Sequence, residues 1–393
     1  MGFPERFSNL PEYAFPRLRR LLDGIAPGGP EIRMTIGEPQ HAFPAWVGDE
    51  IAKTVAGFGR YPPNDGTHAL QNAITAWISR RYGVNVSADR QILPLNGTRE
   101  GLFNACLALC PETKGGGRPI VLMPNPFYQV YAVAALAVGA EPMYLPATPE
   151  TGDLPDLAAL PPEVLDRVAI AYICSPANPQ GTVATRAYWE TVIGLAGKHD
   201  FRIFSDECYS EIYRDTPPVG ALSVADAMGA DPDRVLLFNS LSKRSNMPGL
   251  RSGFVAGGAE SIARMKTLRA YAGAPLPLPL QAVATRAWAD ETHVEDNRAL
   301  YRAKYAIADA VLGDIPGFAP PEAGFFLWLP VADGEQATVR LWQETGVMVL
   351  PGAYLARETG GLTPGQDRIR VAMVAPADDV RAGLERLKAC LYG

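Results

Sequence analysis

The sequence predicts an α/β protein with a large domain built on a mostly parallel sheet, helices on both faces of that sheet, and a smaller α+β domain. Short apolar runs alternate with longer helical patterns between about residues 46 and 285. After a proline cluster at 275–279 the pattern changes to a long polar helix and two separated strands. The chain of 393 residues also exceeds what one hydrophobic core normally serves, so we expect two domains.

We assign residues 1–30 to an N-terminal arm, 46–285 to the large domain, and 31–45 with 286–393 to the small domain. The arm is rich in proline, arginine and glycine, which predicts irregular backbone with one short helix. Apolar, β-prone runs predict the strands of the large domain, and periodic segments predict its helices. In chain order these are strand 91–95, a helix from about 99, strand 120–123, helix 129–138, strand 168–174, helix 186–198, strand 201–205 and strand 235–238. The small domain is expected to contain a helix through 295–310 and the strands 324–329 and 368–373.

The composition is that of an ordinary globular protein, with 47% hydrophobic and 20% charged residues. The net charge is −6 and no block of like charge occurs, so we expect no nucleic-acid partner. The five cysteines have no C-x-x-C spacing, and the four histidines lie far apart. We therefore expect reduced thiols and no metal site. We also expect a cytoplasmic protein, because no signal pattern opens the sequence and no long apolar span follows.

One lysine stands out by its position. Lys243 follows the apolar run 235–238, at the end of a predicted strand, which is where open α/β sheets bind ligands. Next to Arg244 and Arg251 its pKa should be depressed, as an imine-forming amine requires. The alternative is a lysine that extends to solvent. The other six lysines fall on polar helical faces or in a glycine-rich loop, where we expect solvated charges: Lys53, Lys114, Lys198, Lys266, Lys304 and Lys388.

Polar signals follow four other predicted strands. Asn96-Gly97-Thr98-Arg99 opens a helix and offers backbone N–H groups and a hydroxyl to a phosphate, although an ordinary N-cap turn has the same pattern. Tyr128 leaves the next strand and could stack on a planar ring, although aromatic residues at strand ends are more often core.

The two remaining strand ends add an amide and an acid. Asn178 lies in a loop that contains two prolines, and Asp206 ends a buried strand three residues before Tyr209. A buried carboxylate needs a cationic partner, and a protonated ring nitrogen would serve. A phosphate site, a stacking surface, hydrogen-bond donors, an acid and an amine together fit a pyridoxal phosphate pocket.

The ordered set of these motifs resembles the class I and II aminotransferases, the fold-type-I pyridoxal-phosphate enzymes, over nearly the whole chain. The resemblance implies that family's fold and its cofactor, pyridoxal 5′-phosphate. The matching segments are Gly37-Glu38-Pro39, Tyr61 with Gly66 and Leu70, Gly97-Thr98-Arg99, Asn178-Pro-x-Gly181, Asp206-x-x-Tyr209, Ser240-x-Ser242-Lys243 and Gly249-Leu-Arg251-x-Gly253.

The resemblance also implies a role for each position. Lys243 would hold the cofactor covalently and carry a proton, and Asp206 and Tyr209 would complete the catalytic set. The cofactor would be bound by Gly97, Thr98, Arg99, Tyr128, Asn178, Asp206, Tyr209, Ser240, Ser242, Lys243 and Arg251, with Tyr61 donated by the other subunit of a homodimer. The substrate would be bound by Gly37, Asn178 and Arg370. Arg368, two residues away on the same strand face, is the alternative to Arg370 as the carboxylate ligand.

Two departures from the family pattern bear on specificity. Arg99-Glu100-Gly101 stands where many relatives have Gln-Glu-Ala, and the turn at 351–356 lacks the usual phenylalanine and glycine. Segments 99–103, 125–131 and 243–254 most resemble the bacterial succinyldiaminopimelate aminotransferases of lysine biosynthesis. These transfer an amino group between glutamate and N-succinyl-2-amino-6-oxopimelate, whose acidic far end needs a cation such as Arg99, Arg244 or Arg19. Arg244 and Asn246 lie outside the general motif and are therefore predicted to mark substrate choice.

Several alternatives remain open on the sequence. The same cofactor chemistry would serve an aminotransferase for aromatic or dicarboxylic amino acids, or a C–S β-lyase. A ligand-sensing regulator would need an attached DNA-binding module, for which the arm is too short. A nicotinamide-binding protein is disfavoured, because no G-x-G-x-x-G motif follows a strand.

Overall fold

The computed structural model describes residues 5–393, so the first four residues of the predicted arm lie outside the described residues. Its strands are β1 Ile32–Arg33, β2 Ile92–Leu95, β3 Ile120–Asn125, β4 Glu141–Pro146, β5 Val168–Cys174, β6 Arg202–Asp206, β7 Val235–Ser240, β8 Gly253–Ala256, β9 Phe326–Pro330, β10 Val347–Met348, β11 Leu350–Pro351 and β12 Arg368–Ala372. Its α-helices are α1 Ala14–Leu21, α2 Val47–Thr54, α3 His68–Tyr82, α4 Thr98–Leu109, α5 Gln129–Ala137, α6 Pro162–Leu165, α7 Arg186–His199, α8 Ala221–Ala227, α9 Leu241–Arg244, α10 Ala259–Ala272, α11 Leu278–Ala289, α12 Thr292–Leu312, α13 Gly334–Thr345 and α14 Ala377–Leu391.

A seven-stranded sheet forms the centre of the molecule, in the order β2-β8-β7-β6-β5-β3-β4. All pairings are parallel except those of β8, which runs antiparallel to both β2 and β7. Apolar clusters cover both faces, so the central strands are continuously buried. The predicted mostly parallel sheet is confirmed, and its parallel strands end at one edge.

The sequence did not reveal β4 and β8. β4 lies at the edge of the sheet and contains Pro142 and Pro146, residues that weaken a strand signal but are tolerated at an edge. β8 has only four residues and begins at Gly253. The predicted strands 120–123 and 235–238 each continue two residues further than expected, so polar residues at their ends belong to the strands.

A second, antiparallel sheet has the order β11-β12-β9 and packs with α12, α13 and α14 around a separate apolar cluster. The two-residue strand β1 pairs in parallel with β10, which brings segment 31–45 beside this sheet. The predicted grouping of 31–45 with 286–393 in one domain stays a prediction. Within residues 5–393, no helix combines the length and the apolar character needed to cross a membrane.

The short helix predicted in the arm is α1. Its buried Ala14 and Leu18 pack with Leu350 and Tyr354 in a small apolar cluster. The guanidinium of Arg17 lies 3.8 Å from the centre of the Tyr354 ring. These contacts attach the arm to β11 of the second sheet and to the turn that follows it.

Candidate active site

A cavity of about 550 Å³ opens at the carboxyl edge of the large sheet. It is lined by most of the residues that the sequence singled out, namely Gly37, Thr98, Arg99, Tyr128, Asn178, Asp206, Tyr209, Ser240, Ser242, Lys243, Arg251 and Arg370. Gly97 packs directly against Arg251. Tyr61 is fully exposed (101%) and lies outside this wall.

Lys243 lies in the short helix α9, directly after β7. The Ser240 side chain caps this helix by accepting a hydrogen bond from the Ser242 N–H at 3.1 Å. The Lys243 amine donates to the carbonyl oxygen of Gly37. Burial lowers the pKa of Lys243 to about 8, and the positive charges of Arg370 and Arg251 act in the same direction. At pH 7 about a tenth of this amine is therefore neutral and nucleophilic, compared with roughly one in 2,500 for an unperturbed lysine.

Arg244 does not reach the cavity, so its predicted role in substrate choice is wrong. Its side chain is completely buried and points away from Lys243, between the rings of Trp77 and Trp288. It donates to the carbonyl oxygen of Ala287 at 2.7 Å and pairs with Glu291 at 2.7 Å. Arg244 is therefore not a cause of the depressed pKa of Lys243. It anchors residues 243–246, which we call the lysine turn, to α11 and to the start of α12.

Asn246 and Arg19 also lie outside the cavity wall. Asn246 is buried and donates to Asn297 at 3.0 Å. Arg19 is exposed on α1. Of the three cations proposed for an acidic far end of the substrate, only Arg99 lines the cavity.

Residues 96–99, for which the sequence predicts a phosphate site (the phosphate cup), form the turn before α4 and the start of that helix. Gly97 has φ 79° and ψ 157°, a conformation that essentially only glycine adopts, and a Cβ there would lie 2.2 Å from a terminal nitrogen of Arg251. Thr98 begins the helix, so free N–H groups and the positive end of the helix dipole face the cavity. Arg251 completes the cup, held by its hydrogen bond to the Pro248 carbonyl oxygen at 2.7 Å. The donors suit a phosphate group.

Asp206 is buried at the end of β6. Burial raises the pKa of its carboxyl group, while a 2.8 Å hydrogen bond from the Tyr131 hydroxyl acts in the opposite direction. No cation among the described residues pairs with Asp206, which leaves this carboxyl group available to a cationic group of a ligand. Tyr131 was missed by the sequence reasoning, which treated it as part of a helix. The sequence carries no local signal for this role, because the contact between Tyr131 in α5 and Asp206 at the end of β6 joins residues 75 positions apart.

Asn178, Tyr209 and Arg370 lie together on the opposite wall. One guanidinium nitrogen of Arg370 donates to the Asn178 side chain at 3.2 Å, and the other donates to the carbonyl oxygen of Thr35 at 2.8 Å. The third nitrogen, Nε, is buried without a partner in the described chain. Arg368 lies outside the cavity wall and pairs with its neighbour Asp367. The geometry thus favours Arg370 over Arg368 as a carboxylate ligand.

Tyr128 and Arg99 form the rim. The Nε atom of Arg99 donates to the Tyr128 hydroxyl at 2.7 Å, which turns the guanidinium over the cavity mouth. The arm contributes Tyr13 and Phe15 to the same rim, a contribution that the sequence did not predict. The arm's proline-rich sequence carries no sign of this contact, because it depends on how α1 packs.

The charges of the cavity wall are strongly unbalanced. Four cations, Arg99, Lys243, Arg251 and Arg370, face a single carboxylate, Asp206. Such a site suits anionic ligands, since the largely buried Lys243 and Arg370 would otherwise be desolvated without a partner of opposite charge. Pyridoxal phosphate fits this donor set: the cup at Gly97 and Arg251 suits its phosphate, the unpaired Asp206 its ring nitrogen, and the Lys243 amine its aldehyde.

The chain is similar to known aminotransferases in sequence and in structure. The family model described as aminotransferase class I and II matches residues 30–387. The chain is 31% identical over 395 residues to an LL-diaminopimelate aminotransferase of Dehalococcoides mccartyi, covering 98% of each chain. It is likewise 31% identical over 402 residues to that of Desulforudis audaxviator, covering 100% of this chain and 99% of the other. Among solved structures, an aminotransferase from Neisseria meningitidis superposes with a TM-score of 0.94 at 37% identity, covering 98% of this chain and 99% of that one.

Proposed function

This chain belongs to the class I and II aminotransferases, which are pyridoxal-phosphate enzymes, and from that premise we propose a specific reaction. It moves an amino group between glutamate and N-succinyl-2-amino-6-oxopimelate, in lysine and diaminopimelate biosynthesis. The observation that carries this proposal is Arg99, a cation at the cavity rim that the general family motif does not require. Segments 99–103, 125–131 and 243–254 add the resemblance to succinyldiaminopimelate aminotransferases.

Each charged side chain has a place in this reaction. Bound pyridoxal phosphate supplies the electron sink that stabilises negative charge at the substrate α-carbon. Asp206 holds a proton on the ring nitrogen, and the Lys243 amine takes the proton from the α-carbon and returns it. Arg370 binds the α-carboxylate, with its unpartnered Nε available for a second hydrogen bond. Arg99 binds the succinyl carboxylate at the far end.

A second candidate substrate is LL-diaminopimelate itself, the compound in the names of curated relatives about 30% identical to this chain. It lacks the succinyl group and ends in a second amino-acid group. The far end of the succinylated substrate carries two carboxylates and no ammonium group, so it would gain more from Arg99 than the zwitterionic far end of LL-diaminopimelate would. Arg99 therefore favours the succinylated substrate.

The test presents the purified protein, loaded with pyridoxal phosphate, with separate amino donors: glutamate, N-succinyl-LL-diaminopimelate, LL-diaminopimelate, phenylalanine and cystathionine. Conversion of the violet absorption band by glutamate and by the succinylated compound is expected. Arg99→Gln should raise KM for the succinylated donor about tenfold and leave that for glutamate nearly unchanged. The matched control is Arg19→Gln, which changes an exposed arginine outside the cavity.

Three results would change the assignment. Efficient conversion by LL-diaminopimelate alone would name the second candidate. Release of pyruvate and a thiol from cystathionine would indicate a β-lyase. An unchanged KM in Arg99→Gln would refute the role of Arg99 at the far end.

We further propose that the protein is a homodimer in which Tyr61 reaches the cofactor phosphate of the other subunit. Support comes from the full exposure of Tyr61 and from two exposed apolar neighbours, Val55 and Phe58, which are 55% and 56% accessible. Mixing inactive Tyr61→Phe and Lys243→Ala subunits tests it. Hybrid dimers recover one intact site only if Tyr61 acts across the interface. No recovered activity in mixtures that do exchange subunits would contradict the proposal.

A further inference from the structure

Lys304 was expected to be a solvated charge on α12, and that prediction is wrong. Its side chain is 1% exposed, and its amine contacts His41 Nε2 at 2.6 Å and donates to the carbonyl oxygen of Val374 at 3.2 Å. A buried lysine without a carboxylate partner is costly to keep in a folded protein. The described part of the chain provides no salt bridge for Lys304, so its presence calls for another reason.

A chain of hydrogen bonds connects Lys304, through His41 and Asn297, to the backbone of Lys243. The donor and the acceptor of each bond in this chain can be assigned. The carbonyl group of Lys243 can only accept, so the side-chain nitrogen of Asn297 donates to it, at 3.3 Å. The Asn297 oxygen then accepts from His41 Nδ1 at 2.9 Å and from Asn246 at 3.0 Å. His41 Nε2 is left as the acceptor for the Lys304 amine. Burial lowers the pKa of His41 and lowers that of Lys304 to about 8, which agrees with a neutral imidazole in this chain.

His41 belongs to segment 34–44, which contacts both Arg370 and Lys243. Residues 34–44 contain neither helix nor strand, and beyond the backbone hydrogen bonds of Met34 to Met348 and Ala372 the segment is held to the rest of the protein through side chains. Within it, the carbonyl oxygen of Thr35 accepts from Arg370 and that of Gly37 accepts from the Lys243 amine. Lys304 holds the far end of the segment through His41.

The second hydrogen bond of Lys304, to the carbonyl oxygen of Val374, also reaches the wall that contains Arg370. Val374 follows β12, the strand that carries Arg370. Asn297 and Lys304 are seven residues apart on α12, so they lie on one face of that helix. One buried amine therefore ties α12 both to segment 34–44 and to the end of β12.

We propose that Lys304 and His41 are positioning residues for transamination: together they hold segment 34–44 and the end of β12 so that Gly37 and Arg370 face Lys243 correctly. Loss of either one loosens the wall that binds substrate, whereas the lysine turn keeps its separate anchor at Arg244. The expected signature is therefore weaker substrate binding with little change in turnover.

The test compares KM and kcat for glutamate in Lys304→Met, which keeps an unbranched side chain one atom shorter and removes its donors. KM should rise about tenfold while kcat changes no more than about twofold, as a small displacement of binding groups would produce. A merely structural role would reduce the fraction of active protein, and so kcat, without moving KM. Lys198→Met removes an exposed lysine of α7 and serves as the control.

His41 variants provide a second, independent arm that does not require Lys304→Met to fold. His41→Gln can still accept from Lys304 and donate to Asn297, so its KM should stay near the wild-type value. His41→Leu can do neither and should match Lys304→Met. The double variant Lys304→Met/His41→Leu should be no worse than either single variant, because both break the same connection.

Three outcomes would overturn the proposal: an unchanged KM in both Lys304→Met and His41→Leu, an equal rise in His41→Gln and His41→Leu, or additive effects in the double variant. Hydrogen exchange of the cofactor-free protein gives a readout without activity. Exchange in peptides covering 34–44 should accelerate in Lys304→Met but not in Lys198→Met, and equal exchange in both would also overturn it. If wild-type protein failed to react with glutamate, the proposed function would be at fault, and hydrogen exchange would still test this inference.

Discussion

Replacing Gly97 by alanine tests the phosphate cup at its most constrained point. The Gly97 backbone has φ 79° and ψ 157°, and an added Cβ would lie 2.2 Å from one terminal nitrogen of Arg251 and 2.9 Å from its guanidinium carbon. The backbone of α4 cannot move easily, because the helix packs against the sheet. The Arg251 guanidinium, at the end of a flexible side chain, therefore has to leave its place.

Two free energies follow from this geometry. Alanine in a conformation that is nearly restricted to glycine costs about 1–3 kcal/mol of folding stability. A displaced Arg251 also loses its charge-assisted hydrogen bonds to the phosphate, which are typically worth about 1.5–3 kcal/mol. The second loss corresponds to a fall in pyridoxal phosphate affinity of about 10-fold to 150-fold.

The assay titrates cofactor-free protein with pyridoxal phosphate and follows the violet band, with urea unfolding measured in parallel. Gly194→Ala is the matched control: Gly194 lies within α7, and an added Cβ there would meet no heavy atom within 4 Å beyond the local helix backbone. That change should leave the affinity unaltered and raise stability by up to about 1 kcal/mol. Wild-type affinity in Gly97→Ala would refute the reasoning that Gly97 keeps Arg251 in the cup.

Three further predictions concern single side chains of the cavity. Covalent uptake of pyridoxal phosphate by cofactor-free protein should accelerate with pH and level off above about 8, because only the neutral Lys243 amine reacts. A rate profile with its midpoint near pH 10.5 would contradict the argument that burial lowers this pKa. Tyr131→Phe removes the hydrogen bond that stabilises ionised Asp206, so the pKa of Asp206 should rise and cofactor affinity should fall about tenfold. Unchanged affinity in the pyridoxal phosphate titration would rule out this contribution of Tyr131. Arg370→Gln should raise KM for glutamate about a hundredfold, whereas Arg368→Gln should change it less than about twofold. Equal effects of the two substitutions in steady-state kinetics would count against Arg370 as the ligand of the substrate carboxylate.

The sequence predicted the architecture well because its signals were local. The apolar runs at 168–174 and 235–238 are buried on both faces of the sheet, so hydrophobicity alone revealed them. The topology then brings the strand ends together at one edge, which is why residues far apart in sequence, such as Thr98, Asp206 and Lys243, line one cavity.

The errors have a common physical cause. Lys304 and Arg244 look like solvated or cavity-facing cations in sequence, but both are buried where backbone carbonyl groups and ring faces replace water. Such environments are assembled from several distant segments and leave no local pattern. Tyr131 and the arm residues of the rim were missed for the same reason, since their roles depend on tertiary packing rather than on spacing.

The turn after Lys243 imposes a rule on how this chain can be recombined with its relatives. Arg244 bonds to Ala287 and Glu291, the Ser245 hydroxyl lies 2.8 Å from His293 Nε2, and Asn246 bonds to Asn297. A chimera joined between 246 and 287 would combine the turn that carries Lys243 from one parent with supporting residues from another. A joint placed after 297 keeps the turn and its supports from one parent, so libraries built with that crossover should contain far more active members.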